Sequence, residues 1–137
     1  MSPWPEVNVG SVVPPLTRTI GLADMVAYAG ATWDWHRMHY DSEYLTAARL
    51  SRPIVDGQML GALLAETVQD WLGPAAFLRS LEFRFASPVH AGETVQCQGE
   101  VTATTAYTIT VGLLVVVPGD PDRLAVGPAS AVAGRWP

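Results

Sequence analysis

The 137-residue sequence predicts an α+β domain in which an antiparallel sheet curves around one long, buried helix. Two apolar patterns in the sequence carry this prediction. Residues 57–72 place apolar side chains on one wide helical stripe, and after residue 75 the apolar period becomes two, as in half-buried strands. The stripe and the apolar faces of the strands are best buried against one another, because each element alone would leave its apolar side in water.

The first part of the chain is predicted to be an extended segment followed by short elements of secondary structure. Residues 1–16 are predicted to be an extended lead-in and residues 17–137 the folded domain, because proline disfavours regular structure at the start. The prolines concerned are Pro3, Pro5, Pro14 and Pro15. A short strand over 17–21, a short helix over 22–31 and a second helical turn capped by Asp41 are expected to follow.

The central helix has clear local signals at both ends. Asp56 stands at the N-cap position, and Gly73 followed by Pro74 stops the helix. Four strands are predicted over residues 77–85, 94–102, 107–117 and 124–135, with Pro128 marking a bulge or an edge position. Their short connections predict that successive strands are antiparallel neighbours.

Charge and composition exclude several classes of function. All eight basic residues are arginine and thirteen residues are acidic, giving a net charge of −5, which disfavours nucleic acid and anionic membrane as partners. The start of the chain lacks the blocks of a signal peptide and no apolar run reaches membrane-spanning length, so we expect a soluble, cytoplasmic protein. With 49% hydrophobic and only 15% charged residues, the surface favours an obligate oligomer. Cys97 allows no internal disulfide and is expected to be a buried core thiol.

Candidates for chemistry concentrate in residues 33–41, which hold two histidines, two aspartates, an arginine and three aromatic residues. Asp34 and His39 are five positions apart, which places them about 140° apart on a helix and on opposite faces of a strand. They can meet only if the backbone turns between them, and the alternative is a solvated loop with aromatic anchors. His36 and His39 lack a third ligand at suitable spacing, so no metal site is predicted.

Three segments carry a family resemblance that covers about residues 17 to 135. In order, they read YAGATWDWHRMHYD at 28–41, PIVDGQML at 53–60 and RFASPVHAGETV at 84–95. The first resembles the hydratase motif Asp-x-Asn-Pro-x-His-x-Asp of MaoC-like hot-dog proteins, matched by Asp34, His39 and Asp41. With DWLGP at 70–74, the chain most resembles the small subunits of steroid side-chain enoyl-CoA hydratases.

The resemblance implies a hot-dog fold and an (R)-specific 2-enoyl-CoA hydratase, which in reverse is a 3-hydroxyacyl thioester dehydratase. It implies that Asp34 and His39 activate a water, and that the substrate is a bulky acyl-CoA such as a steroid side chain. Gly57, at the helix start, is the expected backbone oxyanion donor, although close packing could also explain this glycine. No cofactor is implied beyond the CoA or acyl-carrier thioester of the substrate. The implied assembly is a homodimer or a heteromer with a second MaoC-like chain.

Departures from the motif keep two other functions open. His36 and Arg37 replace the motif's Asn and Pro. Asp56 replaces a histidine that is usual before Gly57, which puts a second acid near the thioester end of the site, although an N-cap role explains Asp56 completely. The chain could instead be a non-catalytic or tunnel-forming subunit that supports a catalytic MaoC-like partner. A hot-dog thioesterase would take its carboxylate from the central helix, where Glu66 is the candidate.

Three further polar residues are given minor roles. Arg37 could contact a CoA phosphate, His36 is expected at the surface or at an interface, and His90 is expected in a solvated loop.

Overall fold

A computed structural model describes residues 4–137, which form three helices and a five-stranded antiparallel sheet. The helices are α1 (Leu22–Thr32), α2 (Ser42–Ala47) and α3 (Gly57–Leu72), with single 3-10 turns at Arg37–His39 and Gly73–Ala75. The strands are β1 (Val12–Thr19), β2 (Ala76–Phe85), β3 (Thr94–Thr104), β4 (Thr108–Val117) and β5 (Arg123–Arg135). The predicted sheet around one long helix is therefore confirmed.

The core lies between α3 and the inner face of the sheet. Leucines of α3 are buried against alternate residues of the strands, and Cys97 on β3 is fully buried among them, as predicted. Two glycines let α3 approach β2 closely, since a Cβ on Gly57 or Gly61 would lie 2.4 Å from the ring of Phe85 or Phe83, respectively. Asp56 caps the helix by accepting a hydrogen bond from the Gln58 amide at 2.9 Å, which confirms the predicted start.

The strand order is β1-β3-β4-β5-β2, so the prediction that successive strands are neighbours is wrong for β2 and β3. After β2, residues 86–93 do not turn back but cross the start of α3. There the Val55 amide donates to the Val89 carbonyl at 2.8 Å, and Ile54 forms a β-bridge with His90. Because this connection is anchored to the segment before α3, β3 emerges near the opposite edge and pairs with β1 and β4. Pro128 lies at a register shift between β5 and β2, which confirms the bulge.

The predicted lead-in over residues 1–16 is too long. Its first three residues lie outside the described part of the chain, but β1 begins at Val12, five residues before the predicted strand. Pro14 and Pro15 fall at a register shift between Val13 and Leu16, on an edge strand. Proline is tolerated there because a bulge on an edge does not require every amide hydrogen. Over residues 4–137, no helix has both the length and the hydropathy needed to cross a bilayer.

Candidate active site

A sharp turn after α1 brings residues 34–39 back over the start of α3. The helix ends at Thr32, and Trp33 adopts a left-handed conformation with φ of 59°. A 3-10 turn over Arg37–His39 follows, capped by His36, whose Nδ1 accepts from the Met38 amide at 3.1 Å. This turn supplies the bend that the Asp34–His39 spacing required.

Side chains from two separate segments converge at the turn. One polar atom each from Asp34, His39 and Asp56 lies within 4.8 Å of the others. His39 is 8% exposed, whereas both aspartates are half-buried. Asp34 and His39 therefore lie close together, and Asp56 joins them. The sequence placed this second acid near the site but favoured a helix cap as its role.

One hydrogen bond fixes the state of the His39 ring. Nδ1 lies 2.5 Å from the Ile54 carbonyl oxygen, which can only accept, so Nδ1 carries the hydrogen. In the neutral ring this leaves Nε2 with the free lone pair. The Ile54 amide in turn donates to the Met38 carbonyl at 3.1 Å. Two hydrogen bonds therefore join the turn that carries His39 to the segment before α3.

The two carboxyl groups have opposite pKa shifts. Contact with the Asp56 carboxyl, helped by the His36 amide and by His39, holds the pKa of Asp34 below its ordinary value. Burial, together with the neighbouring Asp34 carboxylate, raises the pKa of Asp56. Burial and the negative charges of these two acids also raise the pKa of Tyr28 on α1. On acidification Asp56 therefore takes up a proton before Asp34 does.

The start of α3 presents an unpaired amide next to this cluster. The Gln58 amide binds the Asp56 side chain and the Met59 amide donates to the Asp56 carbonyl at 3.0 Å. The Gly57 amide has no acceptor among residues 4–137. A free N–H at a helix start is suited to partial negative charge, although the Phe85 ring shows that close packing also favours glycine here.

Other polar residues singled out in the sequence have structural partners. Arg37 is bound to Asp41 at 2.7 Å and lies over the Tyr44 ring, while Asp41 caps α2 as predicted. His36 is exposed, as expected. His90 lies in a loop but is not solvated as predicted: its side chain is half-buried, with Nδ1 3.5 Å from a Glu93 oxygen.

The carboxylate on α3 that a thioesterase would use lies apart from this cluster. Glu66 is nine residues beyond Gly57, which is about 14 Å along the helix. It forms an ion pair with Arg18 of β1 at 2.7 Å. A groove of about 820 Å³ also lies elsewhere, on the outer face of the sheet between β1 and β5, and includes none of the residues of the Asp34 cluster.

The donor set of the cluster could hold a cation. Two carboxylates and an imidazole within 4.8 Å provide three ligands, although the sequence offered no third ligand for His36 and His39. The spacing of residues in the sequence did not predict these three ligands as a group, because Asp56 is 22 positions from Asp34 and belongs to another segment. The only signal was the replacement of the family's usual histidine before Gly57. That the protein uses no metal stays a prediction.

Comparisons with known proteins agree with this architecture. Residues 8–117 match the family described as MaoC like domain. The chain is 34% identical over 103 residues to the 3-oxo-4,17-pregnadiene-20-carboxyl-CoA hydratase beta subunit of Mycobacterium tuberculosis, covering 75% of this chain and 80% of that one. It is 29% identical over 89 residues to the (R)-specific enoyl-CoA hydratase of Aeromonas caviae, covering 64% of this chain and 66% of the relative.

Solved structures show the same fold. A chain in the crystal structure of the ChsH1-ChsH2 complex from Mycobacterium tuberculosis superposes with a TM-score of 0.82 at 28% identity, covering 96% of this chain and all of that one. The sheet order, the buried α3 and these similarities agree on the hot-dog fold. The chain belongs to the MaoC-like hydratase and dehydratase family.

Proposed function

We propose that this protein is an (R)-specific 2-enoyl-CoA hydratase, which in reverse dehydrates 3-hydroxyacyl thioesters. The observation that carries the proposal is the convergence of Asp34 and His39 beside the free amide of Gly57. An acid and an imidazole that hold one water can supply the base and the acid that hydration requires. The similarity to hydratases of acyl-CoA thioesters supports CoA in the substrate.

In the proposed reaction, water between Asp34 and His39 attacks C3 of the enoyl thioester. The pair takes one proton from the water and delivers one to C2, so that the elements of water add across the double bond. The lowered pKa of Asp34 keeps it ionised, so it orients the water as a hydrogen-bond acceptor. As C3 is attacked, charge builds on the thioester oxygen, and the Gly57 amide stabilises it.

We also propose a bulky acyl group and assembly with a second MaoC-like chain in the cytoplasm. The similarity to a steroid-type hydratase subunit and to a chain of the ChsH1-ChsH2 complex supports both the acyl group and the heteromer. The fold offers a place for association, because β2 is a ten-residue edge strand and Phe85 at its end is 60% exposed. An unpaired strand edge is a template for pairing with another chain.

The test uses the chain alone and coexpressed with a second MaoC-like chain. Loss of the enoyl absorbance of crotonyl-CoA and of a bulkier enoyl-CoA is followed, together with the configuration of the product. We expect Asp34→Asn and His39→Gln to lower kcat by about 100- to 10,000-fold, as for loss of general acid–base groups. The matched control is His36→Asn, which retains a side-chain acceptor for the Met38 amide and lies outside the cluster.

The outcomes separate the other two functions. Full turnover of the Asp34→Asn assembly would make this chain a supporting subunit, with the chemistry in its partner. Release of free CoA thiol without prior hydration, abolished by Glu66→Gln, would indicate a thioesterase. The ion pair of Glu66 with Arg18 and its distance from the cluster both argue against that result.

A further inference from the structure

Two phenylalanines of β2 pack in the same way against two glycines of α3. Gly57 and Gly61 are four positions apart and therefore share one face of the helix. A Cβ on Gly61 would lie 2.4 Å from Cζ of Phe83. A Cβ on Gly57 would likewise lie 2.4 Å from Cζ of Phe85. In both pairs the tip of the ring therefore touches the backbone of the helix.

The two rings differ in what covers them. α3 extends by a full turn on either side of Gly61, and Phe83 is partly buried against the apolar core. Gly57 is the first residue of α3, so no earlier turn of the helix can cover Phe85. Phe85 is 60% exposed, although its ring packs edge-to-face on Phe83 with the centroids 5.6 Å apart. A large aromatic ring thus extends past the start of the helix.

The exposed ring lies next to the free amide of Gly57. Cζ of Phe85 is at most about 4 Å from the Gly57 Cα, since one carbon–carbon bond adds about 1.5 Å to the distance of 2.4 Å. An oxygen that accepts from the Gly57 amide would lie at most about 4.4 Å from the same Cα. The ring tip and this oxygen would therefore be within about 8 Å of one another, which a thioester group and its first methylene groups can span.

Gly57 is consequently flanked by two surfaces of opposite character. On one side stands the Phe85 ring, and on the other Asp56, which joins the polar cluster of Asp34 and His39. Ligand sites combine apolar surface with a few polar groups that fix the orientation of the ligand. An acyl thioester matches this arrangement, because its carbonyl oxygen accepts a hydrogen bond while the sulfur and the methylene groups beside it are apolar.

We propose that Phe85 is a substrate-binding residue, whose ring packs against the thioester group and the adjoining methylene groups while the carbonyl oxygen accepts from the Gly57 amide. This inference rests on the proposed hydratase function, whose substrate it uses. The contact removes apolar surface of Phe85 from water and lasts throughout the reaction, because hydration leaves the thioester bond intact. It therefore strengthens the binding of substrate and transition state alike, which lowers KM without raising kcat.

Kinetics of two Phe85 variants test this contact in the active assembly. We expect Phe85→Ala to raise KM about 5- to 50-fold while kcat stays within about threefold of the wild type, with a smaller rise for Phe85→Leu. The rise should be similar for crotonyl-CoA and for a bulkier enoyl-CoA, which share the thioester group. Phe83→Leu is the matched control, since Phe83 makes the same contact with a glycine one turn further along α3. Its KM should stay within about twofold of the wild type, although its thermal stability should fall.

Calorimetric titration of butyryl-CoA, which has no double bond to hydrate, measures the contact without catalysis. The dissociation constant should rise in Phe85→Ala by about the same factor as KM, and Phe83→Leu should bind like the wild type. Light scattering gives the mass of each assembly alongside, because Phe85 lies on the edge strand that could pair with another chain.

Four results would overturn the inference. A lower kcat with an unchanged KM in Phe85→Ala would mean that the ring only supports the start of α3. Equal dissociation constants of the wild type and Phe85→Ala, or no binding of butyryl-CoA by the wild type, would show that the ring contacts no thioester. A Phe85→Ala assembly that dissociates but retains its affinity would show that a partner chain covers the ring. A wild type that hydrates no enoyl-CoA but binds butyryl-CoA through Phe85 would instead refute only the proposed function.

Discussion

Glu93 connects three parts of the chain around the loop that crosses α3, and replacing it by glutamine should measurably destabilise the protein. One carboxylate oxygen lies 2.7 Å from Arg123 of β5 and accepts the His90 amide at 2.8 Å. The other lies 3.9 Å from Arg52, just before α3. Although burial acts in the opposite direction, the contacts with Arg123 and the His90 amide lower the pKa of Glu93 from 4.5 to about 2.

The size of the effect follows from this shift. At about 1.4 kcal/mol per pKa unit, the fall from 4.5 to about 2 would be worth at most about 3.5 kcal/mol. Both arginine side chains are half-exposed, so water screens the ion pairs, and we expect Glu93→Gln to cost about 1–2 kcal/mol at pH 7. Because the folded-state pKa is lowered, this stability is fully present above the unfolded value of 4.5 and is lost as the pH falls from 4.5 towards 2.

Urea unfolding at pH 7 and at about pH 3 checks both the size and the sign. The difference between the wild type and Glu93→Gln should shrink at the lower pH. Glu82→Gln is the matched control, since Glu82 is exposed on β2 and forms no ion pair among residues 4–137. A Glu93→Gln loss that is the same at both pH values, or no larger than that of the control, would refute the electrostatic reasoning.

Four further outcomes are expected. Gly61→Ala should destabilise the protein by about 1–3 kcal/mol through overpacking against the partly buried Phe83, measured by thermal unfolding. Gly57→Ala should cost less, because the exposed Phe85 ring can swing away. Glu66→Gln should change stability by no more than about 1 kcal/mol and leave hydration intact, since its pair with Arg18 is solvent-exposed. Cys97 should resist alkylation by iodoacetamide in the folded protein and react in urea, because burial both excludes the reagent and raises the pKa of the thiol.

Local signals were sufficient to predict the elements that build the core. Helix α3 begins and ends where the Asp56 cap, the apolar stripe and Gly73 place its limits. The strands were found because a period of two marks one buried face. These features depend on neighbours a few residues apart, which a sequence displays directly. The same alternation puts Cys97 on the apolar side of its strand, which is why it was expected in the core, where it lies.

Long-range contacts decided what the sequence left open. Local sequence signals predicted neither the strand order nor the start of β1. Strand pairing depends on the crossing of residues 86–93 over α3 and on an edge strand that accepts Pro14 and Pro15. Sequence spacing allowed Asp34 and His39 to meet, but the left-handed Trp33 and the 3-10 turn bring them together without the family's proline. Asp56 joined them only in the folded chain. Its local signal was that of a helix cap, and packing between distant segments alone determines which other carboxylate it faces.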